Sequence, residues 1–212
     1  MLLRLTFAAA ACCALSSTVL ADDFTFSFFA ETVIIGSISL DNARLLAAPP
    51  VSTIAAGKLT VTLEMTRLEE VQSAFGGTIQ NDGEAGNGIT WLCYAAADAT
   101  LWFSAFTGDG TVSQVTSDAD TSHAPTSGCS QAPAGLTIID YGIPGLGTPL
   151  AEFTARFGTV DDDVGLYGYS STVTSPENPD FHMFQYVVVT APEGTISGIT
   201  VGQTTSGVDA SR

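Results

Sequence analysis

"TRLEEVQSAFGG" (residues 66–77) and "TPLAEFTARFGT" (residues 148–159) are two segments of this 212-residue chain that follow one pattern. In each segment apolar residues recur at i, i+3 and i+7, which places them on one face of a helix. A capping signal precedes each helix, at Thr66 or at Thr148 with its proline, and a glycine that suits a positive φ follows it. Helices this short are unstable alone in water, so each must pack on another element.

Three β-like runs follow each predicted helix. After the first come "ITWLCYA", "ATLWFSAF" and "GTVSQVT"; after the second come "DVGLYGYSS", "HMFQYVVVT" and "GTISGITV". Alternating apolar and polar residues with turn signals between the runs are typical of antiparallel strands that have one covered face. We therefore predict an α+β fold made of two tandem repeats, each a short helix packed on a three- to four-stranded antiparallel sheet.

The domain organisation follows from these repeats. Residues 1–21 are predicted to be a signal peptide that is cleaved near Ala21, because Arg4 precedes a short apolar run. Residues 22–57 are an N-terminal segment with a strand in "FTFSFF" and a short helix before Pro49. Repeat 1 covers residues 58–133, repeat 2 covers 134–203, and 204–212 form a disordered tail. The expected location is the periplasm or the medium, with acylation at Cys12 or Cys13 as the alternative fate of the leader.

Composition excludes some partners. The formal net charge is −16, whereas nucleic acids and anionic membrane surfaces both require basic patches. The leader is too short to cross a membrane, which takes about 20 apolar residues. Beyond the leader only Cys93 and Cys129 remain, and in an exported chain such a pair predicts a disulfide. A thiol metal site or a thiol nucleophile is the alternative.

The sequence contains only weak signals for a catalytic or metal site. His123 and His182 are the two histidines, and neither has the short-spaced partners that zinc requires. No G-x-S-x-G motif marks a serine nucleophile. The three consecutive aspartates at residues 161–163 lack the spacing of a calcium loop, although weak calcium binding stays open. We expect no catalytic residue, no metal and no cofactor.

A family resemblance rests on the helix that ends in "FG", the strand "WLCY" and two further strands around a "DG" turn. This pattern resembles the α+β domain of the small lipoprotein subunit of the outer-membrane barrel-assembly complex. Two units in tandem resemble the secreted β-lactamase inhibitory proteins. The resemblance implies a non-enzymatic protein-binding scaffold that presents the sheet formed by both units. This chain departs from the inhibitors because its second unit has no cysteine, and no contact residue can be carried over.

Aromatic residues on the predicted strands are the candidate binding residues. An aromatic surface on the combined sheet would supply binding hot spots, and the partner would be another exported or envelope protein. The alternative is that the aromatic residues are core; the alternative functions are a secreted hydrolase with a site between the repeats and a structural envelope component. The candidates are Trp91, Tyr94, Trp102, Phe106, Tyr167, Tyr169, Phe184 and Tyr186.

Overall fold

The computed structural model describes residues 43–82, 88–106, 108–119, 128–160 and 165–207. This part of the chain contains twelve strands and two helices. In chain order they are β1 (Arg44–Leu45), β2 (Ile54–Ala56), β3 (Leu59–Val61), α1 (Leu68–Phe75), β4 (Gln80–Asp82), β5 (Ile89–Ala95), β6 (Thr100–Ala105), β7 (Gln114–Asp118), β8 (Ser130–Gln131), β9 (Ile139–Asp140), α2 (Leu150–Phe157), β10 (Leu166–Thr174), β11 (Phe181–Thr190) and β12 (Gly198–Gly207).

Nine of these strands form one large sheet, in the order β1-β10-β11-β12-β7-β6-β5-β4, with β8 pairing beside β5. Its neighbours are antiparallel except for the short pairs β1–β10 and β5–β8, which are parallel. The other three strands form a small antiparallel sheet in the order β3-β2-β9.

Strands β7 and β12 join the two halves of the large sheet. They pair antiparallel with Thr116 opposite Thr200. The two buried hydroxyls are hydrogen-bonded, with 2.9 Å between the Oγ1 atoms. Strands β4 to β8 after α1 and β10 to β12 after α2 therefore belong to one continuous sheet.

The predicted fold class is wrong. The fold is mostly β, with 45% of the described residues in strands and 11% in helices, and it has one large mixed sheet plus a small one. Two separate α+β units would leave β7 and β12 as edge strands with unpaired backbone groups. Pairing these edges with each other satisfies those groups and replaces the two predicted sheets by one. The eight-residue helices then cover only part of this sheet.

The two helices nevertheless lie where their sequence pattern places them, and they make matching contacts. Tyr94 of β5 donates its hydroxyl to the carbonyl of Gly76 at 2.8 Å, and Tyr169 of β10 donates to the carbonyl of Gly158 at the same distance. These two glycines follow α1 and α2 with φ of 75° and 88°, so each takes the positive φ that glycine adopts most readily.

The helix starts differ from the prediction by one residue. The capping residues are Arg67 and Pro149 rather than Thr66 and Thr148. At α1 the Arg67 N–H donates to Glu70 Oε1 at 3.0 Å, so the reciprocal bond of a capping box is made one position further along the chain.

One hydrophobic core lies between the large sheet and the layer formed by the helices and the small sheet. Val71 of α1 and Phe153 of α2 are fully buried in it. The large sheet contributes alternate residues of its strands, and the small sheet contributes residues from each of its own. The sheet residues of this core include Leu92, Phe103, Val115, Val187, Val201, Ile54, Val61 and Ile139.

The predictions for the two ends of the chain differ from the structure in two places. The short helix predicted before Pro49 is not formed, because Arg44–Leu45 is a strand that pairs parallel with β10. Strand β12 continues to Gly207, through residues that the prediction assigned to a disordered tail. The strand predicted in "FTFSFF" lies outside the described residues. No helix in the described ranges is long and apolar enough to cross a membrane.

Candidate functional site

Four of the eight predicted binding residues are buried. Trp91, Tyr94, Trp102 and Tyr169 each expose 4% or less of their surface. Tyr94 and Tyr169 face the helices, and with the less buried Tyr167 they contribute to the hydrophobic core. Burial also raises the pKa of Tyr94 to about 12. The four buried side chains therefore stabilise the fold and are not available to a partner.

Trp91 and Trp102 lie on the opposite face of the sheet, where they pack around the disulfide. Cys93 and Cys129 form the predicted disulfide, with 4.6 Å between their Cα atoms. Cys93 is buried between the two tryptophans, and Phe106 packs against this cluster while it remains partly exposed. The bond connects β5 to the segment that enters β8.

Phe184 and Tyr186 lie on this same opposite face, on β11 between β10 and β12. Direct cross-strand partners share a face in an antiparallel sheet. Three positions of β11 and their partners on the two neighbouring strands therefore form a three-by-three array. We call this array the hydroxyl–aromatic face; it consists of Ser170, Thr172, Thr174, His182, Phe184, Tyr186, Gly202, Thr204 and Ser206.

Four outer positions of the hydroxyl–aromatic face are exposed. Thr172 and Thr174 on β10 and Thr204 and Ser206 on β12 are open to solvent, while Phe184 between them is half-buried. No acidic residue, lysine or arginine belongs to the array, although the chain carries a net charge of −16. This part of the sheet surface is therefore free of Asp, Glu, Lys and Arg, although the protein is acidic.

Tyr186 is fixed in place within this face. Its hydroxyl donates to Gln114 Oε1 at 2.6 Å, and Gln114 is fully buried on β7. Its ring covers Gly202, because a Cβ atom at that position would lie 2.2 Å from the Tyr186 Cζ. Burial raises the pKa of Tyr186 above its ordinary value. The Phe184 ring lies beside it, with 6.0 Å between the ring centroids.

His182 is the one histidine that the structure describes, and it occupies a corner of this face opposite Thr174 and Ser206. Its Nδ1 is buried and has no hydrogen-bond partner among the described residues. His123 and the aspartates at 161–163 lie outside the described residues. Within the described ranges, no three His, Cys, Asp or Glu side chains are grouped to hold a metal ion.

The sequence prediction included Phe184 and Tyr186 but not the hydroxyl residues around them. The alternation in "TVT" at 172–174 and "TTS" at 204–206 was the available signal. It becomes informative only with the strand register, which places Thr172, Phe184 and Thr204 in one row.

Comparisons of this chain with known protein families, with curated proteins and with solved structures found no match.

Proposed function

We propose that the chain is an exported, non-enzymatic protein-binding module and that it binds its partner through the hydroxyl–aromatic face. The observation that supports this most directly is the uncharged three-by-three array on the sheet that both halves of the chain share. Aromatic residues in a surface of low charge are enriched at the centres of protein interfaces.

The rigidity of the array supports the same function. Tyr186 is held by its hydrogen bond to Gln114 and by its contact with Gly202, so it loses little conformational freedom when a partner binds. Phe184 supplies apolar area beside it, and the threonine hydroxyls around it can donate and accept hydrogen bonds. The array is small, so it serves as the centre of a larger interface.

The partner in this proposal is another exported or envelope protein with an uncharged, partly apolar contact surface. The many carboxylates elsewhere on the chain disfavour acidic partners through like-charge repulsion. Location in the periplasm or the medium is part of the proposal; the disulfide is compatible with it, because disulfides persist in oxidising compartments.

Site-specific photo-crosslinking in the native host tests this proposal. A photoreactive residue at Thr204 should give a discrete crosslinked protein, whereas the same residue at Ile138, which is 59% exposed but lies outside the array, should not. Phe184→Ala should remove the Thr204 product while the variant retains the wild-type circular dichroism spectrum. Equal products from both positions, or a Thr204 product that persists with Phe184→Ala, would count against this face.

A further inference from the structure

A cleft of about 460 Å³ lies on the other side of β11 from the hydroxyl–aromatic face. Side chains alternate between the two faces of a strand, so Met183 and Gln185 line the cleft while Phe184 and Tyr186 point away from it. The volume lies within the range of small-molecule pockets, roughly 300–1,000 Å³. The wall opposite β11 comes from segments 51–54 and 61–65.

Glu64 occupies a position of unusual geometry in this cleft. Its φ is +60°, and no other non-glycine residue in the described ranges has a positive φ. Such a conformation costs free energy and is found most often where function requires it. The backbone is held there by the bond from the Glu64 N–H to the Val112 carbonyl at 2.8 Å.

The Glu64 carboxylate is oriented by three donors, all of them neutral. Oε1 accepts from the Thr205 N–H at 2.7 Å, and Oε2 accepts from the Thr205 hydroxyl at 2.6 Å and from Gln203 Nε2 at 3.0 Å. Gln185, which is 3% exposed, donates to Gln203 Oε1 and to the Val51 carbonyl. Thr205 and Gln203 therefore fix the position of the carboxylate, Gln185 in turn holds Gln203, and none of these contacts neutralises the carboxylate charge.

The charge of the cleft has one sign. Its described lining includes the carboxylates of Glu64, Asp109 and Glu177, and it includes no lysine, arginine or histidine. The ion pair that joins Arg67 to Glu69 involves neither Glu64 nor Glu177. A cation is the charge complement of such a cleft.

Apart from these carboxylates, seven lining residues are apolar and eight are uncharged polar residues. Two of the apolar residues are methionines, whose unbranched side chains adjust to ligands of different shape. Met65 at the rim is 66% exposed. The apolar members are Val51, Ile54, Val61, Leu63, Met65, Pro176 and Met183.

We propose that this cleft is a second binding site, for a free alkylamine, with Glu64 as the acceptor of its ammonium group. A carboxylate has about four lone-pair sites, and three donors already occupy the Glu64 carboxylate. The remaining capacity suits one N–H of an ammonium group better than the paired N–H groups of a guanidinium, which bind two oxygens at once. The apolar side chains of the lining contact the alkyl chain of the amine.

Titration of the full chain with hexylammonium, hexanol and hexanoate at pH 7, followed by two-dimensional NMR, tests the ligand class. Hexylammonium should bind about 10-fold more tightly than hexanol, the ratio expected for a charge-assisted hydrogen bond, and hexanoate should bind least. Shifts should concentrate at the side-chain amides of Gln185 and Gln203. Equal binding of amine and alcohol, no binding of hexylammonium, or shifts centred elsewhere would overturn the proposal.

Three variants test where in the protein the amine binds. Glu64→Gln should weaken hexylammonium binding about 10-fold and leave hexanol binding nearly unchanged. Glu152→Gln removes the same charge from α2, outside the cleft, and should change neither affinity. Ser52→Trp narrows the exposed rim without touching the Glu64 hydrogen bonds, so it should weaken both ligands and remains informative if Glu64→Gln does not fold. Unchanged binding with Ser52→Trp would contradict this location.

Nα-acetyl-lysine methylamide distinguishes a free amine from the lysine side chain of a peptide. Weaker binding of the capped lysine than of hexylammonium would support a free alkylamine, and tighter binding would overturn that assignment. This site does not depend on the hydroxyl–aromatic face, so Phe184→Ala should leave the amine titration unchanged.

Discussion

Gly202→Ala should destabilise the protein through the Tyr186 side chain. The φ of Gly202 is not positive, so alanine is compatible with the backbone, and only the new methyl group matters. That methyl group would lie 2.2 Å from the Tyr186 Cζ and 2.3 Å from its hydroxyl oxygen. The ring must therefore leave its position over β12.

The cost follows from what Tyr186 loses when it moves. Its hydrogen bond to Gln114 is broken, and the fully buried Gln114 Oε1 is left without this donor, which costs about 1–3 kcal/mol. Repacking around the added methyl group costs another 1–3 kcal/mol or so, with the lower end more appropriate because Tyr186 is half-buried. We expect a total loss of about 2–4 kcal/mol in the free energy of unfolding.

Urea unfolding followed by circular dichroism measures this loss, with Gly207→Ala as the matched control. Gly207 ends the same strand, and a Cβ added there would meet no atom within 4 Å, so that variant should stay within about 0.5 kcal/mol of wild type. In a Tyr186→Ala background, Gly202→Ala should cost little, because the ring is already absent. A similar loss in both backgrounds would refute the role given to Tyr186.

Three further predictions concern the core. Phe153→Ala should lower the free energy of unfolding by about 3–5 kcal/mol because Phe153 is fully buried. Glu152→Ala, on the exposed side of the same helix, should change that free energy by under about 0.5 kcal/mol. Chemical denaturation of the two variants measures both values. Cys129→Ser should lower the free energy of unfolding by about 2–4 kcal/mol, because it opens the 36-residue loop that the Cys93–Cys129 disulfide closes. Intact-mass measurement should show that the wild type is two hydrogens lighter than its reduced form. The pKa of Tyr94 is raised to about 12, so this residue stabilises the fold fully below pH 10 and loses that contribution as the pH rises towards 12. Ultraviolet titration of wild type against Tyr94→Phe should locate the difference in that range, and a difference centred at pH 10 would contradict the burial effect.

Local patterns predicted the individual elements well. The run "ITWLCYA" has the bounds of β5, and the apolar stripes of residues 66–77 and 148–159 contain both helices. These signals arise within a few residues of each other, where helix and strand periods are visible in the sequence. Both helix starts were misplaced by one residue. At α1 the Thr66 hydroxyl accepts from the Thr62 N–H at 2.9 Å, and Arg67 is the capping residue.

The sheet as a whole could not be predicted in the same way. The pairing of Thr116 with Thr200 joins positions 84 residues apart, and no local signal specifies it. Strand alternation also divides aromatic residues into two sets without saying which set faces the core. That is why Tyr94 and Tyr169, on the helix side, were grouped with Phe184, on the opposite side.

Strand β11 connects the two proposed sites through its register. Phe184 and Tyr186 belong to the hydroxyl–aromatic face, and Met183 and Gln185 belong to the cleft, so a slip of one residue would exchange the two sets. The hydrogen bonds from Gln185 to Val51 and from Tyr186 to Gln114 hold this register from both sides of the sheet. A variant that changes one site therefore tests function there only if the other site still binds normally. Binding at one proposed site is therefore the control for a variant of the other site.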